Sequence, residues 1–153
     1  LGIYDQARHY DIPYQETSFS FAEVGGAYTA VMAVDGGKVV DGLGGTVSGP
    51  GYYSLGGMDG ELAYLLGKFP KELLFTGGAA YMAGRPELSP DQFADLAERD
   101  ERARMAWEAL MEGVVKSVAA EPVVGPHQRE IQISGRLCRT EKIRQELTRR
   151  LAN

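Results

Sequence analysis

The chain is short of the residues from which most metal and nucleophile sites are built. Its 153 residues include one cysteine, Cys138, and two histidines, His9 and His127. A single cysteine excludes an internal disulfide framework and a cysteine-based zinc site, and fits a reducing compartment, expected here to be the cytoplasm. The histidines stand apart in loop-like stretches, which argues against a histidine metal site. Ser18, Ser20 and Ser48 have no histidine at suggestive spacing, and neither a G-x-S-x-G elbow nor a Walker lysine motif occurs. No apolar run approaches the ~20 residues of a membrane span and no signal peptide is recognisable, so no membrane partner is expected. The chain also lacks an initial methionine, and we expect it to be a piece of a longer protein.

What is abundant is glycine, 20 residues clustered mainly between Gly25 and Gly84. That density predicts tight turns and close backbone approaches, with enough chain for one domain with a core. The net charge of -5 is uneven: from His127 onward there are 7 Lys+Arg against 3 Asp+Glu, and before it 9 against 18. The acidic body argues against nucleic-acid binding. The basic end reads either as a solvated helix face with cations near its C-terminus or as a phosphate contact.

Residues 1–18 show no steady period and read as an irregular lead-in. Phe19 to Thr46 is the organising stretch. An apolar run meets Gly25-Gly26, a second run spans Tyr28 to Val34, and Asp35-Gly36-Gly37 turns it into a third, Lys38 to Val40. Asp-Gly between β-branched runs predicts a hairpin. The paired glycines let a backbone approach something bulky, and Glu23 just upstream is placed to hold a metal ion or orient a water. Val47 to Gly60 reads as a functional loop. Asp59 is a candidate cap for a helix Gly60 to Leu66 ended by Gly67 and, as an outside candidate, a catalytic base. Pro70 to Thr76 reads as a brief strand.

Ser89-Pro90-Asp91-Gln92 carries a capping box. Beyond it Phe93, Leu96, Ala103, Trp107, Leu110, Met111, Val114 and Val118 share a face. They predict one long helix to about Ala120, with an interruption near Asp100 and a stop at Pro122. Glu130 to Ser134 alternates as a strand, Gly135 breaks it, and Thr140 opens a last helix bearing Ile143, Leu147 and Leu151. A strand, Ser134-Gly135-Arg136 and a helix make a corner suited to phosphate. Cys138, beside Arg136 and Arg139 near a helix start, is a candidate for a lowered pKa. Each glycine corner reads as a turn or as a phosphate contact.

These segments resemble the acetate and sugar kinase, Hsp70 and actin superfamily, and in particular the family of predicted butyrate kinases. Ala22 to Thr46 resembles the hairpin that opens the second ribonuclease-H-like domain of acyl kinases. Ser48-Gly49-Pro50-Gly51 resembles their Gly-Pro loop, and the long helix followed by Ile131 to Arg136 resembles the approach to the adenosine-binding glycine step. Leu74 to Tyr81, with Gly77-Gly78, is a rival for that step. The fold implied is α/β: a ribonuclease-H-like (actin-like ATPase) domain over 19–153, a mixed sheet with an antiparallel hairpin and flanking helices.

The resemblance implies an ATP-dependent phosphotransferase acting on a small-molecule acceptor such as butyrate, with ATP and Mg²⁺ as cofactors. Amides of Gly26, Ala27 and Tyr28 after Gly25 would cradle phosphate, with Thr29 donating a hydroxyl. Glu23 would act through Mg²⁺ or water, and Ser134, Gly135 and Arg136 would meet adenosine. The chain departs from the pattern twice. Glu23 stands where acyl kinases place a histidine, and Tyr52-Tyr53-Ser54 stands where they place an arginine. The first domain of the cleft, and the final strand and helix of the second, are expected in the same parent chain. A homo-oligomer is a further expected partner. The competing expectations are a non-catalytic nucleotide-responsive module and a plain assembly scaffold.

Overall fold

The computed structural model describes residues 1–125 and 127–152. Four strands form one mixed sheet in the order β3-β2-β1-β4: β1 Phe19–Val24, β2 Thr29–Asp35, β3 Lys38–Leu43 and β4 Ile131–Ser134. β1 pairs antiparallel with β2, Ala22 opposite Val31 and Glu23 opposite Ala30, and β2 pairs antiparallel with β3. β1 pairs parallel with β4, setting Glu23 beside Ser134. The chain returns to that parallel position through the helices between β3 and β4, as a parallel pairing requires a long crossover.

Alternation along β1 and β2 turns Ala22, Val24, Val31 and Ala33 to one face, all buried. Against them packs the core of α5 (Glu101–Ala120), with Leu110, Met111 and Val114 fully buried, together with Phe93 of α4 (Pro90–Ala97) and Ile143 and Leu147 of α6 (Glu141–Leu151). The capping box of Ser89 and Gln92 is present in full. The helical stretch breaks where Asp100 intervenes: its carboxylate accepts from the Ala103 amide at 2.7 Å and starts α5 anew. Pro122 lies in a 3₁₀ turn, Glu121–Val123, that ends the helix.

Two segments differ from their sequence reading. The lead-in is a helix, α1 (Gly2–Tyr10), closed by Asp11 in the left-handed region at φ 53°. Its small and aromatic residues blur the period. The helix is held instead by Gln6, which is buried, accepts from the Ser18 amide at 2.7 Å and donates to the Ser18 carbonyl at 3.1 Å. The stretch after Pro70 is a 3₁₀ helix, Lys71–Phe75, rather than a strand. Proline sets the turn there, and the sheet is composed of the other four strands. Between lie α2 (Gly60–Leu66) and the short α3 (Gly78–Met82).

Candidate functional site

The turn from β1 to β2 and the bend after β4 meet at one corner of the sheet. Gly135 sits at φ 109°, and a Cβ on it would fall 2.2 Å from the Val24 carbonyl oxygen. Only glycine allows this bend to press so closely on the end of β1. The close approach carries Arg136 across to the paired glycines: a Cβ on Gly26 would stand 3.3 Å from Arg136 Cδ. Residues more than a hundred positions apart in sequence thus share a wall.

Glu23, Gly25, Gly26, Ala27, Tyr28, Ala30 and Arg136 line a cavity of about 920 Å³. Tyr52, Tyr53, Phe75, Leu137 and the start of α4 at Ser89 and Pro90 complete it. The turn is closed by one backbone bond, from the Gly25 amide to the Tyr28 carbonyl at 3.0 Å. The Ala27 carbonyl accepts from the amides of Tyr53 and Ser54 at 3.2 and 3.1 Å, strapping the following loop to it. The amides of Gly26, Ala27 and Tyr28 donate to no acceptor among the described residues. The Arg136 side chain is exposed and makes neither an ion pair nor a hydrogen bond among the described residues, while its carbonyl accepts from the Arg139 amide at 3.2 Å. Three consecutive free amides beside a free guanidinium are suited to an anion, and the positive end of α4 adds to the same field.

The other candidates lie outside this cavity lining. Thr29 faces the opposite side of the strand from Ala30; its hydroxyl is buried, without a hydrogen-bond partner among the described residues, and outside the cavity lining. Asp59 caps α2, accepting from the amides of Glu61 and Leu62 at 2.9 and 3.1 Å. Ser134 and Gly135 shape the bend without lining the cavity. The rival Gly77-Gly78 step packs into the loop, where the Ala79 amide donates to Gly51 at 2.9 Å.

The expected lowering of the Cys138 pKa does not occur. Burial pushes the thiol up to about 11, the charge of Glu23 adds to this, and Sγ donates to the Ser134 carbonyl. The basic C-terminal segment is also largely committed to ion pairs: Arg144 with Glu141, Arg149 with Glu146, and Arg150 with Glu146 and Glu108. Among the described residues no group of three or more His, Cys, Asp or Glu side chains is placed to hold a metal.

Sequence reasoning missed Tyr53, Phe75 and the placement of Ser89-Pro90. The rings of Tyr28 and Phe75 lie 6.3 Å apart and add an apolar part to the lining of the same cavity. Tyr52 is wholly buried, with its hydroxyl donating to Leu88 at 2.7 Å and its pKa pushed well up by burial. The Tyr52-Tyr53 pair in a glycine-rich loop was the one available signal.

Comparison with solved structures agrees with the topology. A propionate kinase from Francisella tularensis subsp. tularensis SCHU S4 is similar with a TM-score of 0.80 and 21% identity, over 99% of this chain and 42% of that one. The acetate kinase of Porphyromonas gingivalis has a TM-score of 0.79 and 19% identity, over 95% and 39%. A ROK family protein from Streptococcus pneumoniae TIGR4, solved in complex with sucrose, has a TM-score of 0.54 and 13% identity, over 99% and 50%. The chain therefore spans half or less of the length of these structures. At these identities the likeness establishes the fold, which is ribonuclease-H-like, of the actin-like ATPase type. No curated protein matches the sequence. No helix among the described residues is long and apolar enough to cross a membrane. The family model described as "Protein of unknown function (DUF1464)" matches residues 1–153, and the chain belongs to that family.

Proposed function

We propose that this chain is the nucleotide-binding half of an ATP-dependent phosphotransferase. One observation carries the reading: three consecutive unpaired amides, Gly26 to Tyr28, share a cavity with the unpaired Arg136, in a fold similar to that of acyl kinases. Phosphoryl transfer asks a protein chiefly for positioning and charge neutralisation. The amides would hold the polyphosphate oxygens, Arg136 would balance their charge, and the Tyr28–Phe75 wall would face the nucleoside.

Mg²⁺ fits this site only as a nucleotide-borne ion, since Glu23 is the one carboxylate in the cavity lining. Magnesium commonly takes one or two carboxylates together with phosphates and waters, and Glu23 would hold it directly or through water. When bound, the ion would supply charge neutralisation on the phosphates. The acceptor class is a small carboxylic acid such as butyrate, as the sequence resemblance to butyrate kinases implies. Catalysis, in the cytoplasm, belongs to a longer parent whose other domain closes the cleft.

Thermal melts with and without MgATP test this. The wild type is expected to gain several degrees with MgATP, and Gly26→Val to lose the gain while keeping its own melting temperature. The three heavy atoms nearest to a Cβ at this position all belong to the flexible Arg136 side chain. Indifference of the wild type to ATP would favour a scaffold and end the proposal. A second reading, a nucleotide-responsive module without catalysis, is favoured by Glu23 and Tyr52-Tyr53-Ser54 standing where acyl kinases use a histidine and an arginine. ADP formation dependent on an added acceptor, assayed on the parent protein, separates the two.

A further inference from the structure

Tyr52 is the largest side chain held wholly out of solvent among the described residues, and packing alone does not require its hydroxyl. A phenylalanine would fill the same space with no polar group to satisfy. The hydroxyl makes one bond, to the carbonyl of Leu88 at 2.7 Å. Leu88 immediately precedes Ser89, the residue that caps α4 and lines the cavity. The ring of Tyr52 also meets Phe93 of α4 edge-on, with the centroids 5.5 Å apart.

The backbone around Tyr52 is fastened to the glycine turn. Its carbonyl accepts from the Ala80 amide at 3.1 Å, and the amides of the next two residues, Tyr53 and Ser54, hold the Ala27 carbonyl. One rigid side chain therefore connects the turn of free amides to the start of α4, and fixes where Ser89 stands relative to it. Ser89 has a proton to offer there. Its Oγ accepts from the Gln92 amide at 3.3 Å, while its own O–H donates to no acceptor among the described residues. A hydroxyl accepts and donates at once. That donor, the amides of Gly26 to Tyr28 and Arg136 share one cavity, in which Glu23 is the lone carboxylate of the lining. We propose that Ser89 donates to a phosphate oxygen of the bound nucleotide, and that Tyr52, acting through Leu88, is its positioning residue. The proposal rests on the nucleotide reading and adds to it a phosphate donor from a separate element.

Calorimetric titration of the chain with magnesium tripolyphosphate, which carries the phosphates without the nucleoside, provides the test. Ser89→Gly removes the donor and keeps a serviceable cap; it is expected to raise Kd about tenfold. Tyr52→Phe keeps the ring and should raise Kd about fivefold with unchanged circular dichroism. The double variant separates positioning from a general loosening. Independent effects would multiply to about fiftyfold, whereas a Tyr52 that acts through Ser89 leaves the double variant near the effect of Ser89→Gly alone. Ile143→Val, a modest core change outside the cavity lining, should leave Kd unmoved. A Tyr52→Phe chain that binds like the wild type, that fails to fold, or whose effect multiplies in the double variant would overturn the role of Tyr52. An unchanged Kd in Ser89→Gly would overturn the contact itself. Tripolyphosphate that does not bind, with MgATP still raising the melting temperature, would end this proposal and leave the nucleotide reading standing; no response to either would end both.

Discussion

Gly26 and Gly135 look alike in sequence, each inside a short glycine corner, yet they answer to different constraints. Gly135 combines positive φ with a Cβ position already taken by the Val24 backbone. Gly135→Ala is expected to cost more than about 3 kcal/mol in urea denaturation, whereas Gly26→Ala should be close to neutral. Thr29 and Glu121 carry buried oxygens without partners among the described residues. Thr29→Val keeps the shape, removes the stranded hydroxyl and should gain about 1 kcal/mol. Burial, with Asp41 adding to it, raises the Glu121 carboxyl above its ordinary value. A raised acid contributes stability that is full below its unfolded pKa and is lost as pH rises through the folded one. Glu121→Gln should therefore gain about 1 kcal/mol at neutral pH and little in acid, and equal gains at both would contradict the sign. None of these environments was legible in the sequence. A glycine or a glutamate does not announce which backbone or apolar surface will close over it.

At the scale of elements, α6 is fastened to the helices beneath it by charge as well as by Ile143 and Leu147. Arg150 reaches Glu108 of α5 at 2.7 Å and Glu146 of its own helix at 2.6 Å; Lys142 reaches Asp95 and Glu98 at 2.6 Å each. Hydrogen bonds from Arg149 and then Arg150 bring the Glu146 carboxyl down to about 2 from 4.5. A lowered acid contributes stability above its unfolded value and loses it as pH falls through the folded one. Glu146→Gln should thus cost about 1 kcal/mol at neutral pH and flatten acid denaturation between pH 4.5 and 2. An unchanged acid limb would show the network to be idle. Asp100 marks a different kind of control. Its cap divides one apolar face into two helices, and Asp100→Ala should cost about 1 kcal/mol. The basic segment was legible as a helix, but its main role as ion pairing required knowing where Glu108, Asp95 and Glu98 would stand.

Across the whole molecule the core lies on one face of the sheet under α5, and the proposed nucleotide corner lies at the sheet's end. Leu110→Ala should cost about 2–5 kcal/mol through the cavity it leaves, yet MgATP should still raise the melting temperature of the folded fraction. Loss of the nucleotide response in parallel with stability would mean that corner and core are not separable.

The hairpin of β2 and β3, the start of α4 at its capping box, the cap of α2 and the stop at Pro122 follow from local rules: period-two alternation, turn chemistry and helix ends need only neighbours in the chain. The helix α1 escaped those rules because Gln6 is anchored by Ser18, twelve residues away. The corner of Gly26 and Arg136 escaped them too. Gly26 and Arg136 meet only because β4 lies parallel beside β1 in a register that sets Ser134 at Glu23. That register is a property of packing a long helix across the sheet, and no local stretch of residues encodes it.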